Sequence, residues 1–250
     1  MQLFYAPDFT APRYRLRDEE ARHALRVLRL RAGDPICLTD GRGSLYRCRI
    51  ERIDPKGCEV ALVAHRSGVG ARPWRLSVAV APTKNPDRFE WFLEKAAEVG
   101  IDEIIPLETA RSERRTLKRE RGDKILVAAM KQSLKCSLPQ LHELTPFETL
   151  VRTPFDGLRL IAHCDAPRTS EGKRYLPRQL APGVSVQVLI GPEGDFSPAE
   201  IDLALACGFR ETALGSQRLR TETAAVAATL LAASVNEADC PAFVSLDEEP

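Results

Sequence analysis

The first 66 residues consist of short apolar runs separated by turn-forming residues. Between residues 45 and 53 the chain alternates, with Cys48 and Ile50 on one side and Arg47 and Arg49 on the other, as in a half-buried strand. Similar runs occupy residues 36–38 and 58–64, and turn clusters lie at 40–43 and 54–57. This meander predicts a small β-barrel of about 70 residues.

One helix interrupts that meander. Apolar positions recur with helical spacing from Glu19 to about Leu30, and Asp18 is the expected N-cap. The outward arginines of the predicted barrel are typical of a solvated strand face, but they also suit RNA.

The period of the pattern changes after residue 73. Residues 67–73 (Ser-Gly-Val-Gly-Ala-Arg-Pro) have the composition of a linker. Beyond it, short strands alternate with amphipathic helices, which predicts a parallel α/β sheet with helices on both faces. We therefore expect two domains, 1–70 and 74–250. The predicted strands are 76–81, 104–107, 158–162, 184–190 and 211–214, and the predicted helices are 87–100, 118–134, 198–207 and 222–235.

Composition narrows the class of protein. The longest mostly apolar run, residues 224–235, is shorter than the roughly 20 residues that span a bilayer. The N-terminus lacks the basic and apolar regions of a secretory signal. Seven scattered cysteines without a CxxC pair argue against disulfides and against a zinc site. We expect a cytoplasmic protein that uses no metal and meets no membrane.

The net charge of +1 conceals an asymmetry. Residues 1–75 contain 15 basic and 9 acidic residues, whereas residues 154–250 contain 8 and 14. Arginine suits phosphate and base recognition, so the basic front end favours a polyanionic partner. A GC-rich genome would explain the abundance of arginine equally well.

Two loops near the carboxyl end have the features of a binding site. In the first, a buried strand runs into Ile190–Gly194 (Ile-Gly-Pro-Glu-Gly), and Ser197, Pro198 and Glu200 form a capping box for the next helix. A ligand should lie beyond the carboxyl end of that strand. The spacing fits neither a P-loop nor the dinucleotide fingerprint, and taken alone an ordinary tight turn is equally plausible.

In the second loop, a strand ends at Gly215 and an arginine-bearing segment leads to a helix with Thr221 as expected N-cap. The six alanines of that helix suit a tight core or a dimer interface.

Together, the two loops resemble the RsmE family, the 16S rRNA uracil-N3-methyltransferases of the SPOUT superfamily. The resemblance rests on Ile190–Gly194 followed about 20 residues later by Leu214–Ala224 (Leu-Gly, then Leu-Arg-Thr-Glu-Thr-Ala). It extends over nearly the whole chain through motifs at His23, Val27–Arg29, Gly33-Asp34, 40–43, Lys84, 94–100, Arg111-Ser112 and Gln132-Ser133.

The resemblance implies an N-terminal PUA-like RNA-binding β-barrel and a C-terminal SPOUT α/β domain with a parallel sheet and a deep trefoil knot. It also implies S-adenosyl-L-methionine as cofactor, a homodimer, and 16S rRNA or the assembled 30S subunit as partner. The residues that it places around the cofactor are His163, Asp165, Ile190, Gly191, Glu193, Gly194, Leu214, Gly215, Leu219, Arg220, Thr221 and Ala224.

The sequence departs from the family pattern at several positions. Asp195 stands where a second glycine is common, and Ser216–Arg218 replaces a frequent x-Arg-Ile. Ala110 and Lys131 each replace a glutamate. A backbone with positive φ at residue 195 would tolerate Asp better than most residues.

The implied reaction assigns roles to three side chains. Negative charge develops on the uracil oxygens as N3 loses its proton, so a cation there stabilises the transition state, and Arg220 is our candidate. Glu193, Glu222 or water would take the proton. Arg220 could instead bind phosphate, and Glu222 could merely favour the start of its helix.

RNA contacts are expected from the basic front end and from a basic segment in the middle of the chain. The candidates are Arg13, Arg15, Arg17, Arg26, Arg29, Arg31, Lys84, Arg111, Ser112 and Gln132. Two alternatives stay open at this point: a SPOUT methyltransferase for another RNA such as tRNA, and a non-catalytic RNA-binding ribosome-assembly factor.

Overall fold

The computed structural model describes residues 2–170 and 172–237, and it divides them into two compact units. The first contains the chain up to Ala71 and the segment Val127–Leu138. The second contains Arg72–Leu126 and the chain from Pro139 onward. This grouping differs from the continuous 1–70 and 74–250 domains by the segment 127–138. Residues 1, 171 and 238–250 lie outside the described part of those domains.

The first unit is built on a five-stranded sheet with the order β1-β3-β4-β5-β2. Only the pair β1 and β3 is parallel. The strands are β1 (Leu3–Tyr5), β2 (Arg13–Leu16), β3 (Pro35–Thr39), β4 (Leu45–Asp54) and β5 (Gly57–Arg66).

The alternating pattern of β4 has the expected effect on burial. Cys48 and Ile50 are buried with Leu38 and Val60 in one core cluster, while Arg49 is exposed. The turn into β5 requires a glycine, because a Cβ at position 57 would lie 2.2 Å from the carbonyl oxygen of Leu16 and φ there is 146°.

The helix of the first unit is shorter than predicted. It comprises α1 (Asp18–Arg22) and a π-helical continuation over His23–Val27. The prediction that Asp18 caps it was wrong, because Arg17 precedes the helix without a side-chain cap and Asp18 is already the first helical residue.

The second unit is built on an eight-stranded sheet in which every pairing is parallel. Its order is β11-β13-β10-β12-β6-β7-β8, with β9 paired to β7. The strands are β6 (Leu76–Val80), β7 (Glu103–Glu108), β8 (Gln140–Leu141), β9 (Thr145–Pro146), β10 (Leu158–Ala162), β11 (Arg174–Tyr175), β12 (Val186–Ile190) and β13 (Arg210–Ala213).

The α-helices described in this part of the chain are α2 (Pro86–Val99), α3 (Arg119–Gln132), α4 (Phe147–Arg152), α5 (Pro198–Ala206) and α6 (Thr221–Asn236). From Val127 onward, α3 belongs to the first unit. Strands β6 and β12 are buried throughout, which is typical of the centre of a parallel sheet. Side chains of α4 and α5 join one core cluster with Ala79, Ile161 and Leu189 of the strands. Helix α6 packs against β6, β12 and α2.

The helix ends show which capping residues could be predicted from the local sequence and which could not. The capping box is confirmed: Ser197 accepts a hydrogen bond from the amide of Glu200, and the Glu200 carboxylate accepts one from the amide of Ser197. The prediction that Thr221 caps α6 was wrong, because Arg220 occupies that position and Thr221 is the first helical residue. Helix α2 begins after Asn85, whose side chain caps it, and ends at Gly100 with φ 115°.

Parallel pairing brings the carboxyl ends of the strands to one edge of the sheet. The segments that leave this edge follow β6, β7, β10, β12 and β13, and among them are the two loops singled out in the sequence. No helix within residues 2–170 and 172–237 combines the length and apolarity needed to cross a bilayer.

Candidate functional site

A cavity of about 720 Å³ lies where the segments after β10, β12 and β13 meet. Both glycine-containing loops line it, together with the first turn of α6. Apolar side chains of Ile190, Leu214 and Leu219 contribute to its wall, and the cations Arg218 and Arg220 stand on the same wall. The site therefore combines an apolar interior with local positive charge.

The loop after β12, Pro192–Ser197, is tied down by residues from other parts of the unit, and we call it the anchored loop. The amide of Lys84 donates to Oε1 of Glu193 over 3.0 Å. The guanidinium of Arg111 donates to the carbonyl oxygens of Gly194 (2.9 Å) and Phe196 (3.2 Å). These bonds fix the loop from the segments after β6 and β7.

Asp195 provides a third attachment. Its φ of 62° is in the left-handed region, which Asp tolerates better than most residues. One carboxylate oxygen accepts from the amide of Cys164 (2.7 Å) and the other from the amide of Phe196 (2.8 Å). The aspartate that replaces the family's common glycine is thus accommodated, and it connects the anchored loop to the segment after β10.

Glu200 serves the anchored loop as well as its own helix. Its Oε2 accepts from the amide and the hydroxyl of Ser197, both over 2.8 Å. Its Oε1 accepts from the amide of Ala110 over 2.8 Å. The capping residue therefore also connects the start of α5 to the segment after β7.

The loop after β13, Gly215–Arg220, has few attachments, and we call it the open loop. Gly215 has φ 155°, and an added Cβ there would meet nothing within 4 Å. Within this described loop, a side-chain hydrogen bond joins Nε2 of Gln217 to the hydroxyl of Ser216 over 3.4 Å. Arg218 and Arg220 are exposed, and their guanidinium groups form no hydrogen bond or ion pair with any described residue. Both guanidinium groups are available to a ligand.

A buried pair lies beside the cavity. Nε2 of His163 is 2.9 Å from Oε1 of Glu211, and neither side chain is exposed. Burial would raise the pKa of Glu211, but hydrogen bonds from the amides of Arg168 and Thr169 and from the Thr169 hydroxyl outweigh it, and the pKa lies below its usual value. Burial, and then the charge of Lys173, lower the pKa of His163.

This pair organises the segment that follows β10. With a neutral imidazole beside an ionised carboxylate, Nε2 of His163 donates, and its Nδ1 is left buried without a partner among the described residues. The ammonium group of Lys173 donates to the carbonyl oxygens of His163 (2.6 Å) and Asp165. His163 therefore borders the cavity with its main chain, because its side chain is fully buried.

Most of the predicted cofactor residues meet at this cavity. They are His163, Ile190, Gly191, Glu193, Leu214, Gly215, Leu219, Arg220, Thr221 and Ala224. Of the other described candidates, Asp165 binds Arg168 over 3.2 Å, and Gly194 is held by Arg111. Glu222 is buried with Oε1 3.7 Å from Arg88, and its Oε2 has no partner in the described chain. Of the two candidate carboxylates, Glu193 lines the cavity and Glu222 does not.

Three of the six predicted RNA contacts of the first unit line a separate concavity of about 680 Å³. Arg15, Arg17 and Arg26 line it, together with Arg22 and Lys56, which the sequence did not single out. Arg15 binds Asp54 over 2.6 Å. Of the remaining candidates, Arg13 pairs with Glu51 (2.8 Å), and Arg29 and Arg31 are exposed.

The predicted RNA contacts from the middle of the chain have varied surroundings. Lys84 pairs with Glu113 over 2.8 Å, and Arg111 holds the anchored loop. Ser112 is buried and its hydroxyl accepts from the amide of Thr109. Gln132 is exposed at the end of α3.

Comparison with known proteins identifies the family to which this chain is related. A family model described as an RNA methyltransferase domain matches residues 71–233, and one described as an RNA methyltransferase PUA domain matches residues 16–63. Ribosomal RNA small subunit methyltransferase E of Bacillus subtilis is 26% identical over 228 residues, which cover 86% of this chain and 87% of that protein. The chain belongs to the RsmE family of RNA methyltransferases.

Solved structures agree with this assignment. A "probable rRNA-methyltransferase" from Porphyromonas gingivalis is 44% identical with a TM-score of 0.87, covering 96% of this chain and 100% of that one. Ribosomal RNA small subunit methyltransferase E from Neisseria gonorrhoeae, bound to S-adenosyl methionine, is 27% identical with a TM-score of 0.80, covering 92% and 95%. The predicted α/β class with an N-terminal PUA-like domain is confirmed. The trefoil knot stays a prediction.

Several residues that line the cavity were not predicted. Lys173, Cys164 and Thr212 border it, and no motif in the sequence distinguishes them. Arg111 was predicted to contact RNA. In the structure its guanidinium donates to the carbonyl oxygen of Gly194, which lies 83 residues later in the sequence. Among the described residues, no group of three or more His, Cys, Asp or Glu side chains could hold a metal ion.

Proposed function

We propose that this protein transfers a methyl group from S-adenosyl-L-methionine to N3 of a specific uridine in the 16S rRNA of the small ribosomal subunit. The observation that carries the proposal is the single cavity into which both glycine-containing loops converge in a chain of the RsmE family. The relative from Neisseria gonorrhoeae, solved with S-adenosyl methionine bound, supports the choice of cofactor.

The residues around the cavity suit that cofactor. An adenosine moiety needs apolar walls and main-chain polar groups, and Ile190, Leu214 and Leu219 supply such walls beside glycine-rich backbone. Gly215 leaves open space where any side chain would stand. We assign cofactor binding to these residues with Gly191, Thr221 and Ala224. When bound, the sulfonium supplies a reactive methyl group, so the chemistry requires no metal.

The chain's own contribution is to hold the base, stabilise charge and accept a proton. N3 of uracil lies on the pairing edge, so the target base must be unpaired before it can enter the site. Arg220 lines the cavity with an unpaired guanidinium and is placed to stabilise negative charge on the uracil oxygens. Glu193 lines the same cavity and is our candidate proton acceptor.

RNA binding is assigned to the basic concavity of the first unit. Arg17, Arg22, Arg26 and Lys56 bring four cations to one surface, and none of them forms an ion pair with a described residue. Arginine and lysine at such a density bind phosphate through charge, whatever the sequence of the RNA. The division into an RNA-binding domain (1–70) and a methyltransferase domain with the knot (74–250) belongs to the same proposal.

We also propose that the protein acts as a homodimer. Trp91 on α2 and Leu230 on α6 are 43% and 55% exposed, and these two helices pack against each other. Large apolar side chains exposed on adjacent helices are typical of a surface that is covered in an assembly. Light scattering of the wild type and of Trp91→Glu tests this, with a dimeric mass expected only for the wild type.

Mass mapping of 16S rRNA tests the activity. Ribosomes from a strain that lacks the gene should have lost one methyl group on one uridine, and purified protein with S-adenosyl-L-methionine should restore it on 30S subunits. Loss of a methyl group from tRNA, with 16S rRNA unchanged, would overturn the substrate assignment. Calorimetry that detects no binding of S-adenosyl-L-methionine would overturn the methyltransferase assignment.

A further inference from the structure

A second, smaller concavity of about 150 Å³ lies between the start of α2 and the segment that precedes α3, within the second unit. Its apolar walls come from Pro82, Pro86, Phe89, Leu93 and Leu117, and charged side chains complete the lining. Phe89 and Leu93 are buried, so they form a fixed base, while Leu117 is half-buried at the side. We call this concavity the slot.

The rim of the slot has more basic than acidic side chains, because Arg114, Lys118 and Arg121 stand there with Asp87 and Glu90. Arg114 and Lys118 line it, and neither side chain forms a hydrogen bond or ion pair with any described residue. Arg121 also lines it, but its charge is balanced by Glu90 over 2.6 Å. Two cations without partners beside an apolar slot favour a ligand that has both a flat apolar part and negative charge.

The slot and the cofactor cavity are connected through one short segment. Residues 82–86 contribute Pro82 and Pro86 to the slot. Between them, the amide of Lys84 holds the carboxylate of Glu193, which lines the cavity. The slot is therefore linked to the wall of the cavity by the five residues 82–86.

We propose that the slot binds an unpaired base of the RNA substrate next to the methylated uridine, with Arg114 and Lys118 on the neighbouring phosphates. The inference rests on the proposed function, which supplies the RNA. Apolar side chains accept the face of any base without reading its edges, while the cations bind the phosphodiester on either side. The slot would thus keep the target strand unpaired while its neighbour is methylated.

Variants of the two rim cations test the phosphate contacts. Loss of two phosphate contacts to single-stranded RNA should reduce the slope of log Kd against log salt concentration by about 1.4. We expect this for Arg114→Ala/Lys118→Ala and not for the control Arg115→Ala/Arg152→Ala. The control removes equal charge from exposed arginines that already pair with Glu108 and Glu148. Equal slopes for the two double variants would overturn the proposal.

Variants of Leu117 test the base itself. Leu117→Ala removes an apolar side wall without changing charge, and Leu117→Glu places a carboxylate on that wall. Both should raise the KM for RNA about fivefold, because each loses roughly half of the apolar contact that a fully buried leucine makes. They should leave kcat and the Kd of S-adenosyl-L-methionine unchanged. Unchanged KM in both variants, with normal thermal melting, would overturn the slot as a base site.

Crosslinking separates this inference from the proposed function. RNA with 4-thiouridine placed one nucleotide from the target should crosslink to Leu117 or its neighbours on irradiation, and peptide mass mapping would identify them. Crosslinks confined to other segments would overturn the slot even if methylation is normal. Absence of methylation by the wild type, with these crosslinks present, would overturn the proposed reaction and leave the slot standing.

Discussion

The two loops that form the cavity differ in how they are held. The anchored loop receives hydrogen bonds from the segments after β6, β7 and β10, through Lys84, Arg111 and Cys164. The open loop presents exposed arginines and one internal side-chain bond. One side of the site is therefore shaped before a ligand arrives, while the other obtains its partners from the ligand. Preorganised groups lower the entropic cost of binding, and free cations remain available for charge that develops during reaction.

The largest effect is expected from the open loop. Arg220→Ala should lower kcat about 10²–10³-fold, because removal of one group that stabilises developing negative charge has this effect in other enzymes. Arg218→Ala, a matched change in the same loop, should lower kcat much less. Single-turnover methylation of 30S subunits measures both. Equal losses in the two variants would show that the loop acts through its total charge rather than through Arg220.

The anchored loop should affect cofactor binding rather than chemistry. Arg111→Ala removes charge-assisted bonds to two carbonyl groups, and such bonds contribute about 1.5–3 kcal/mol each when well shielded. Because Arg111 is exposed, we expect the low end, which is about a tenfold rise in the Kd of S-adenosyl-L-methionine. Calorimetry checks this, with Arg115→Ala as control. A drop in kcat without a change in Kd would contradict the division of roles.

A smaller effect is expected at Asp195. Asp195→Gly keeps the left-handed backbone and loses the bonds to Cys164 and Phe196, so the cofactor Kd should rise about threefold. Asp195→Ala loses the same bonds and adds the left-handed cost of about 1–2 kcal/mol. Asp195→Asn tolerates this backbone but keeps only one of the two acceptor oxygens, so its affinity should lie between those of the wild type and Asp195→Gly. Calorimetry should find that the affinity for S-adenosyl-L-methionine decreases from Asp195→Asn to Asp195→Gly to Asp195→Ala. Equal affinities of the three variants would contradict this prediction.

The smallest effect is a dependence of stability on pH. His163 has a lowered pKa in the folded protein, whereas in the unfolded chain it gains a proton near pH 6.5. The unfolding free energy should therefore fall as pH decreases below about 6.5. Glu211, with its pKa lowered, stays ionised there, and its contribution is lost only as pH falls below its usual value of 4.5.

Urea unfolding at pH 7.5 and 5.5 measures this slope. His163→Gln should show a shallower slope over the same interval, and an identical slope would assign the dependence to other groups. Nitrogen NMR of the imidazole at pH 7 should find Nδ1 without a proton.

The sequence predicted those features that depend on neighbouring residues. The capping box at Ser197 and the bounds of β10 were right because adjacent positions determine them. The caps at Asp18 and Thr221 were wrong because suitable residue types stood one position inside their helices. A motif gives the residue type at a helix start but does not fix the backbone angles there.

The anchors of the site could not be predicted in the same way. Arg111 and Gly194 are 83 positions apart, and the bond between Cys164 and Asp195 spans 31. Such pairs meet only because parallel strands bring their carboxyl ends to one edge. The motif residues at the cavity were accessible through family resemblance, whereas Lys173 and Thr212 have no local pattern that distinguishes them.

The buried strands β6 and β12 have a consequence for how such proteins diverge. Their side chains are enclosed on every side, so replacements there have to conserve volume. Among the segments beyond the carboxyl ends of the strands, the anchored loop shares this restriction through Phe196, which is buried in the core, whereas the exposed open loop does not. Changes in RNA specificity are therefore expected first in exposed segments such as the open loop. The buried strands β6 and β12 should stay similar between relatives.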